Sequence, residues 1–205
     1  KGQWHNFAFP EEVYAAFPGG NPEYNTKLLR YTYQSPVTPN SVYDYDMGTR
    51  KRKLLKQIEV LGGFDASKYV CKRLWAEARD GVKVPLSAVC RKGTKLNGAN
   101  PLWRYAYGSY GFGMSATFSS NNLSLLDRGV VFVIAHIRGG NEMGEAWHAD
   151  GMLMKKKNTF TDFIDSADWL IANKWTSKDR LLIEGGSAGG LLMGAMITRC
   201  PDAFR

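Results

Sequence analysis

The stretch RLLIEGGSAGGLLMGAMIT (residues 180–198) contains two apolar runs, with a serine between pairs of glycines at their junction. Residues 180–186 are typical of a strand that is buried on both faces. Residues 188–198 are apolar on nearly every side, which predicts a buried helix. Ser187 therefore lies at a strand-to-helix turn and fits the G-x-S-x-G motif, which presents a nucleophile in that context.

The segments before this turn extend the pattern. GVVFVIAHIRGG (129–140) predicts another buried strand. The next segment predicts a helix with Asn158 as its N-cap and Asp162 in its first turn. Its apolar residues recur at helical spacing: Phe160, Phe163, Ile164, Ala167, Leu170 and Ile171. Alternating strands and helices predict an α/β fold, with a mostly parallel sheet and helices on both faces.

The first 60 residues have a different pattern. Aromatic and alternating segments at 27–35, 41–47 and 51–57 predict a meander of three antiparallel strands. Three strands bury too little surface to be stable alone, so they need neighbours. Residues 59–69 read as a junction, and a hairpin is expected beyond it around Asp80-Gly81. Residues 101–111 predict a strand that runs into a glycine-rich loop.

Composition and charge restrict the function class. The net charge is +8, but the basic clusters RKRK (50–53) and KKK (155–157) are interpreted as solvated loops, so no nucleic-acid partner is expected. No apolar stretch is long enough to span a membrane. Neither a dinucleotide-binding spacing nor a metal-ligand spacing is present, and no cofactor or metal is expected. The three cysteines read as buried free thiols, which suggests a reducing, cytoplasmic location.

The chemistry of the serine turn is specific. A strained turn exposes the Ser187 hydroxyl, and the Ala188 N–H then points to the place where an oxyanion would form. A glycine-rich phosphate loop or a plain tight turn is the alternative. The strand and helix predicted on either side favour the nucleophile.

Several motifs in order resemble the prolyl oligopeptidase family of serine peptidases, most of all its oligopeptidase B branch. They are YAYGSYG (105–111), SLLDRG (124–129), AHIRGGNEMGEAW (135–147), KKKNTFTDFI (155–164) and IEGGSAGGLLMGA (183–195). The resemblance implies that residues 1–60 are the C-terminal part of a β-propeller. It implies that residues 61–205 are the N-terminal part of an α/β-hydrolase catalytic domain, truncated after the nucleophile elbow.

The resemblance also implies roles for individual residues. Ser187 is the nucleophile, the Ala188 N–H is one oxyanion donor, and the Tyr107 hydroxyl is the other. A phenol stays protonated at neutral pH and can donate to an oxyanion. In α/β-hydrolases the triad acid and base follow the serine, so both are expected beyond Arg205. The histidines of this chain, His5, His136 and His148, precede Ser187, and His136 and His148 are expected to be structural.

Two further expectations concern neighbouring loops. Arg138 and Glu142 match a loop of the family, where a structural ion pair is their expected role. Some relatives carry acids in the segment after YGSYG, and Ser115 and Thr117 stand at those places here. This substitution weakens the case for a preference for basic side chains.

The predicted function is that of a serine oligopeptidase, which hydrolyses short peptides, after Arg or Lys, through an acyl-enzyme at Ser187. A prolyl oligopeptidase-like or esterase-like relative is the enzymatic alternative. An inactive paralogue acting as a basic binding module is the non-enzymatic one. Short peptides are the expected partners, and the sequence does not indicate an oligomeric state.

Overall fold

The computed structural model describes residues 4–202. The first part is a four-stranded antiparallel sheet in which consecutive strands are neighbours. Its strands are β1 (Ala15–Pro18), β2 (Leu28–Ser35), β3 (Thr38–Asp46) and β4 (Arg52–Gln57). The predicted meander is therefore confirmed. Strand β1 was not predicted, because it is short and lacks alternation; it ends at a proline, which edge strands tolerate.

The second part is a five-stranded sheet in the order β5-β6-β8-β7-β9. Its strands are β5 (Tyr69–Glu77), β6 (Lys83–Arg91), β7 (Leu102–Tyr105), β8 (Val131–Ala135) and β9 (Leu181–Glu184). β5 and β6 form the predicted hairpin, and β6 is also antiparallel to β8. β7 is parallel to both β8 and β9. Of the strands in this sheet that the structure describes, β6 alone runs against the others.

Helices cover both faces of the second sheet. They are α1 (Ser120–Asp127), α2 (Glu145–Ala149), α3 (Lys157–Ala172) and α4 (Ala188–Arg199). Buried side chains of α3 and α4 pack with Val133, whereas Leu126 of α1 packs with Ile134. Because neighbouring residues of a strand point to opposite faces, these helices lie on opposite sides. This confirms the predicted layers.

Three details of the predicted helices are wrong. The N-cap of α3 is Lys156, because the helix begins two residues earlier than Asn158 suggested. Asp162 is instead fully buried and does not lie in an exposed first turn. Helix α4 is not buried all round, since Leu191 and Ile197 are exposed. The physical reason is that α4 follows β9, the edge strand of the described sheet, and packs on one side only.

None of the helices within residues 4–202 has the length and apolar character needed to cross a membrane.

Candidate active site

Ser187 occupies the turn between β9 and α4, as the sequence predicts. Its backbone has φ 55° and ψ −119°, a conformation that a residue with a side chain rarely adopts. The residue is exposed, and among the described residues no group hydrogen-bonds to its hydroxyl. The strained turn thus holds the serine side chain out at the carboxyl end of the strand.

The glycines around Ser187 allow a close crossing of strand and helix. A Cβ on Gly185 would lie 2.5 Å from the carbonyl oxygen of Gly189. A Cβ on Gly189 would lie 2.9 Å from the carbonyl oxygen of Ala106. By contrast, a Cβ on Gly186 would meet nothing within 4 Å. The two glycines that define the G-x-S-x-G motif are therefore the two that the packing requires.

Tyr107 lies beside this turn, in the loop that follows β7. The same Cβ position on Gly189 is 3.8 Å from Cα of Tyr107, and the Ala106 N–H donates to the carbonyl oxygen of Glu184 at 3.3 Å. The Tyr107 ring contacts Tyr110 and Phe112, with an edge-on packing against Phe112. Within residues 4–202 its hydroxyl has no hydrogen-bond partner. The structure thus places the backbone of the Tyr107 loop against the turn that carries Ser187 and Ala188.

Arg138 anchors the backbone behind the Tyr107 loop. Its guanidinium pairs with the fully buried Asp162 at 2.5 Å and with Asp80 at 2.7 Å. These carboxylates raise the pKa of Arg138, so that it stays charged. The following residue, Gly139, accepts a hydrogen bond from the Gly111 N–H at 2.9 Å. The expected ion pair of Arg138 therefore exists, but its partner is not Glu142.

Glu142 instead belongs to a buried polar network around His136. Nε2 of His136 is 2.6 Å from Oγ of Ser87, and its Nδ1 is 3.3 Å from Oε1 of Glu142. Arg73 donates to Ser87 at 2.8 Å. Glu142 also accepts a hydrogen bond from the Met114 N–H at 2.9 Å. Burial is the main cause of the lowered pKa of His136, which keeps the imidazole neutral.

This network was not predicted from the sequence. It has the composition of a catalytic triad, but Ser87 is 2% exposed and His136 is 3% exposed, so a substrate has no access. Ser87 also lies within β6 and not at a turn. The interior of β6 is buried on both faces, and a polar residue within this buried strand was the available signal. This signal does not show that His136 is the partner of Ser87.

The other histidines also bond to groups away from Ser187. Nε2 of His5 is 2.8 Å from the Tyr45 hydroxyl. Nδ1 of His148 is 3.0 Å from the carbonyl oxygen of Gly139, which fixes Nδ1 as the protonated nitrogen. Within residues 4–202, no histidine therefore hydrogen-bonds to Ser187.

The basic cluster, the polar residues after the YGSYG loop and the cysteines lie away from the Ser187 turn in the sequence, and their exposure differs. The cluster at 50–53 follows the β3–β4 turn and continues into the exposed strand β4, as a solvated hairpin would. Ser115 and Thr117 are both exposed. Cys71 and Cys90 are buried free thiols, whereas Cys200 is partly exposed, contrary to the expectation for it.

Comparisons with known proteins agree with this geometry. The model of the prolyl oligopeptidase family matches residues 116–205. Dipeptidyl aminopeptidase BI of Pseudoxanthomonas mexicana is 50% identical over 95% of the chain, and Protease 2 of Moraxella lacunata is 39% identical over 100% of it. The chain spans only 27% and 30% of the lengths of these relatives.

A solved structure shows the same architecture. Oligopeptidase B from Leishmania major superposes with a TM-score of 0.87 at 42% sequence identity. The superposition covers 96% of this chain and 28% of that one. Together with the serine turn and the neighbouring Tyr107 loop, these matches show that the chain belongs to the prolyl oligopeptidase family of serine peptidases.

Proposed function

We propose that the protein is a serine peptidase, which cleaves peptide bonds in short peptides through an acyl-enzyme at Ser187. The observation that carries this proposal is the backbone of Ser187. A non-glycine residue with φ 55° is strained, and here the strain exposes a hydroxyl at the start of a helix, beside a tyrosine. A plain turn between strand and helix gains nothing from such a conformation.

The chemistry follows from the positions of the groups. Ser187 Oγ attacks the peptide carbonyl carbon, and a C–O bond forms while the carbonyl oxygen becomes an oxyanion. The Ala188 N–H and the Tyr107 hydroxyl donate to this oxyanion. When the C–N bond breaks, the amine leaves and the acyl group remains on Ser187. Water then hydrolyses the ester and restores the serine.

The proton transfers need a general base, which takes the Ser187 hydroxyl proton during the attack and gives a proton to the leaving amine. In α/β-hydrolases the base is a histidine that follows the serine and an acid in the chain order. The bonded positions of His5, His136 and His148 support the same order in this protein. We place the base and its acid outside residues 4–202.

We further propose that residues 1–60 belong to a propeller domain and residues 61–205 to the catalytic domain. The break between β4, which ends at Gln57, and β5, which begins at Tyr69, supports this boundary. The buried free thiols of Cys71 and Cys90 support a reducing location such as the cytoplasm.

The preferred substrate is a short peptide with Arg or Lys on the acyl side of the cleaved bond. The identity to oligopeptidase B supports this choice. Removal of dipeptides from a free amino terminus is a second candidate, supported by the 50% identical dipeptidyl aminopeptidase. The two differ in whether the substrate needs a free α-amino group.

A labelling experiment on the full-length protein tests the proposed activity. A fluorophosphonate probe should modify Ser187, and Ser187→Ala should remove both the adduct and the turnover of reporter peptides. N-blocked Arg-Arg, N-blocked Gly-Pro and free-amine dipeptide reporters then separate the specificities. An unlabelled Ser187 in folded wild-type protein would contradict the proposal, and preference for a Gly-Pro or free-amine reporter would contradict the basic-residue choice alone.

A further inference from the structure

Lys156 extends from the N-terminal end of α3 into the Tyr107 loop. Its Nζ donates to the carbonyl oxygen of Gly108 at 2.6 Å and to Oγ of Ser109 at 2.7 Å. Ser109 is buried and Lys156 is partly buried. Withdrawing an ammonium group from water is unfavourable unless acceptors replace the lost hydration. Both replacement acceptors belong to the two residues that follow Tyr107.

The adjacent lysine behaves differently. Nζ of Lys155 pairs with Asp150 at 2.7 Å, and the side chains of both residues are well exposed. Such a surface pair contributes little to stability. Lys156 has no carboxylate within ion-pair distance among the described residues, and burial lowers its pKa. Its contacts are therefore directional hydrogen bonds to one loop. The interpretation of KKK (155–157) as a solvated cluster is wrong for this residue.

The Tyr107 backbone is fixed from both sides. On one side, the Ala106 N–H bonds to Glu184, directly before the serine turn. On the other side, Gly108 has φ +66°, and a Cβ there would lie 2.6 Å from Cγ2 of Thr159. Lys156 holds the carbonyl oxygen of this glycine. Because the Tyr107 hydroxyl has no partner within residues 4–202, the backbone and the ring contacts determine where it points.

We propose that Lys156 is a positioning residue for the oxyanion site: by bonding to Gly108 and Ser109, it holds the Tyr107 hydroxyl in place for the reaction at Ser187. The inference rests on the proposed function and adds a residue to it. Lys156 does not touch the substrate in this scheme. Its effect reaches the reaction only through Tyr107, which makes the inference separable from a general structural role.

A double-mutant cycle on the full-length protein tests it. Tyr107→Phe should lower kcat about 100-fold, because one oxyanion donor is lost. Lys156→Met should lower kcat about 10- to 100-fold through misplacement of that donor, with KM changed less than about threefold. In the double variant the losses should not multiply, and kcat should equal that of Tyr107→Phe within about threefold, because residues that act through one another are not additive.

Lys155→Met is the matched control and should keep wild-type kcat and KM. Ser109→Ala removes one acceptor only, and it replaces Lys156→Met in the cycle if that variant unfolds at the assay temperature. Multiplying losses would overturn the inference, and so would a Lys156→Met enzyme that behaves like Lys155→Met. A wild type without Ser187-dependent turnover would instead contradict the proposed function, and is recognised before any variant is measured.

Discussion

Ser187 and Ser87 differ in exposure, backbone conformation and hydrogen-bond partners. Ser187 is exposed on a strained turn, next to backbone N–H groups at a helix start, and has no base bonded to it within residues 4–202. Ser87 is 2% exposed, sits in a regular strand and bonds to His136, which in turn contacts Glu142. One serine has access and strain, and the other has a base and an acid.

The difference shows that side-chain composition does not make a nucleophile. The Ser87 hydroxyl accepts from Arg73 and lies beside a neutral imidazole, so its hydrogen-bonding groups are satisfied inside the sheet. Such a network stabilises and specifies a buried interior. The backbone conformation of Ser187 is the feature that a structural serine lacks, and substitutions can separate the two roles.

The largest expected difference is in activity. Ser187→Ala should lower kcat at least about a thousandfold, because no other group can form the acyl-enzyme. Ser87→Ala should leave the rate of fluorophosphonate labelling within about threefold of wild type, since Ser87 does not touch the reacting atoms. Peptide turnover and labelling rates of the two variants of the full-length protein check this. Strong loss of labelling in a folded Ser87→Ala protein would contradict the assignment.

The next effect concerns the glycines that allow the Ser187 turn. Gly185→Ala places a Cβ 2.5 Å from the carbonyl oxygen of Gly189, and the backbone must shift. We expect a loss of about 3 kcal/mol in the free energy of unfolding. Gly186→Ala meets nothing within 4 Å and should match wild type. Denaturant unfolding of both variants measures the contrast, and equal stabilities would rule out the close crossing of β9 and α4.

The buried network should affect stability and its dependence on pH. His136→Gln should cost about 2 kcal/mol, because it leaves buried polar partners unsatisfied. Burial lowers the pKa of His136 in the folded state. In the unfolded chain this histidine has a pKa of about 6.5, so just below that pH the unfolded chain binds more protons than the folded protein does. Wild-type stability therefore falls as the pH falls through this window, and the contribution of His136 to that fall disappears in His136→Gln.

Ser87→Ala is the control for this pH dependence. It retains the imidazole, so it should lose stability at neutral pH and still show the wild-type fall on acidification. Denaturant unfolding of wild type, His136→Gln and Ser87→Ala at pH 7.5 and at pH 5 measures the stability at neutral pH and its fall on acidification. An unchanged acid dependence in His136→Gln would show that other groups cause it.

The smallest expected effect is an increase in stability. Ser187→Gly removes the side chain from a residue with φ 55° and should raise the free energy of unfolding by about 1 kcal/mol. Ser87→Gly should lower it, because a strand position loses its hydrogen bonds and gains backbone entropy in the unfolded state. Thermal denaturation compares the two. A less stable Ser187→Gly protein would show that the turn is not strained.

Much of the fold was predictable from local patterns. The apolar run at 129–140 and the segment at 180–198 predicted β8, β9 and α4, and Asp80-Gly81 predicted the β5–β6 hairpin. The helix of residues 157–172 was predicted with the wrong N-cap. Side chains at 158 and 162 suit an exposed helix start, but in this structure Asn158 bonds to Asp150 and Asp162 bonds to Arg138. Tertiary partners outweighed the capping preference.

The candidate site divides in the same way. The strand, the glycines and the helix around Ser187 are contiguous, so residues 180–198 alone determined that a serine stands on a sharp turn between them. Tyr107 was predicted to be an oxyanion donor only through a family resemblance, because nothing in the local sequence indicates which part of the chain its hydroxyl faces. The tertiary structure brings its loop against Gly189.

The tertiary structure alone decided which polar groups meet. His136 bonds to Ser87, which is 49 residues away in the sequence, and Lys156 bonds to Gly108 in the Tyr107 loop, which is 48 residues away. Such pairings depend on strand order and on the packing of α3 over the sheet, which no window of sequence contains. The sequence by itself determined the turn that exposes Ser187, since periodicity and glycine sterics act between near neighbours. The partners of buried polar groups are decided by the folded chain, because burial favours pairing with whichever polar group the packing brings near.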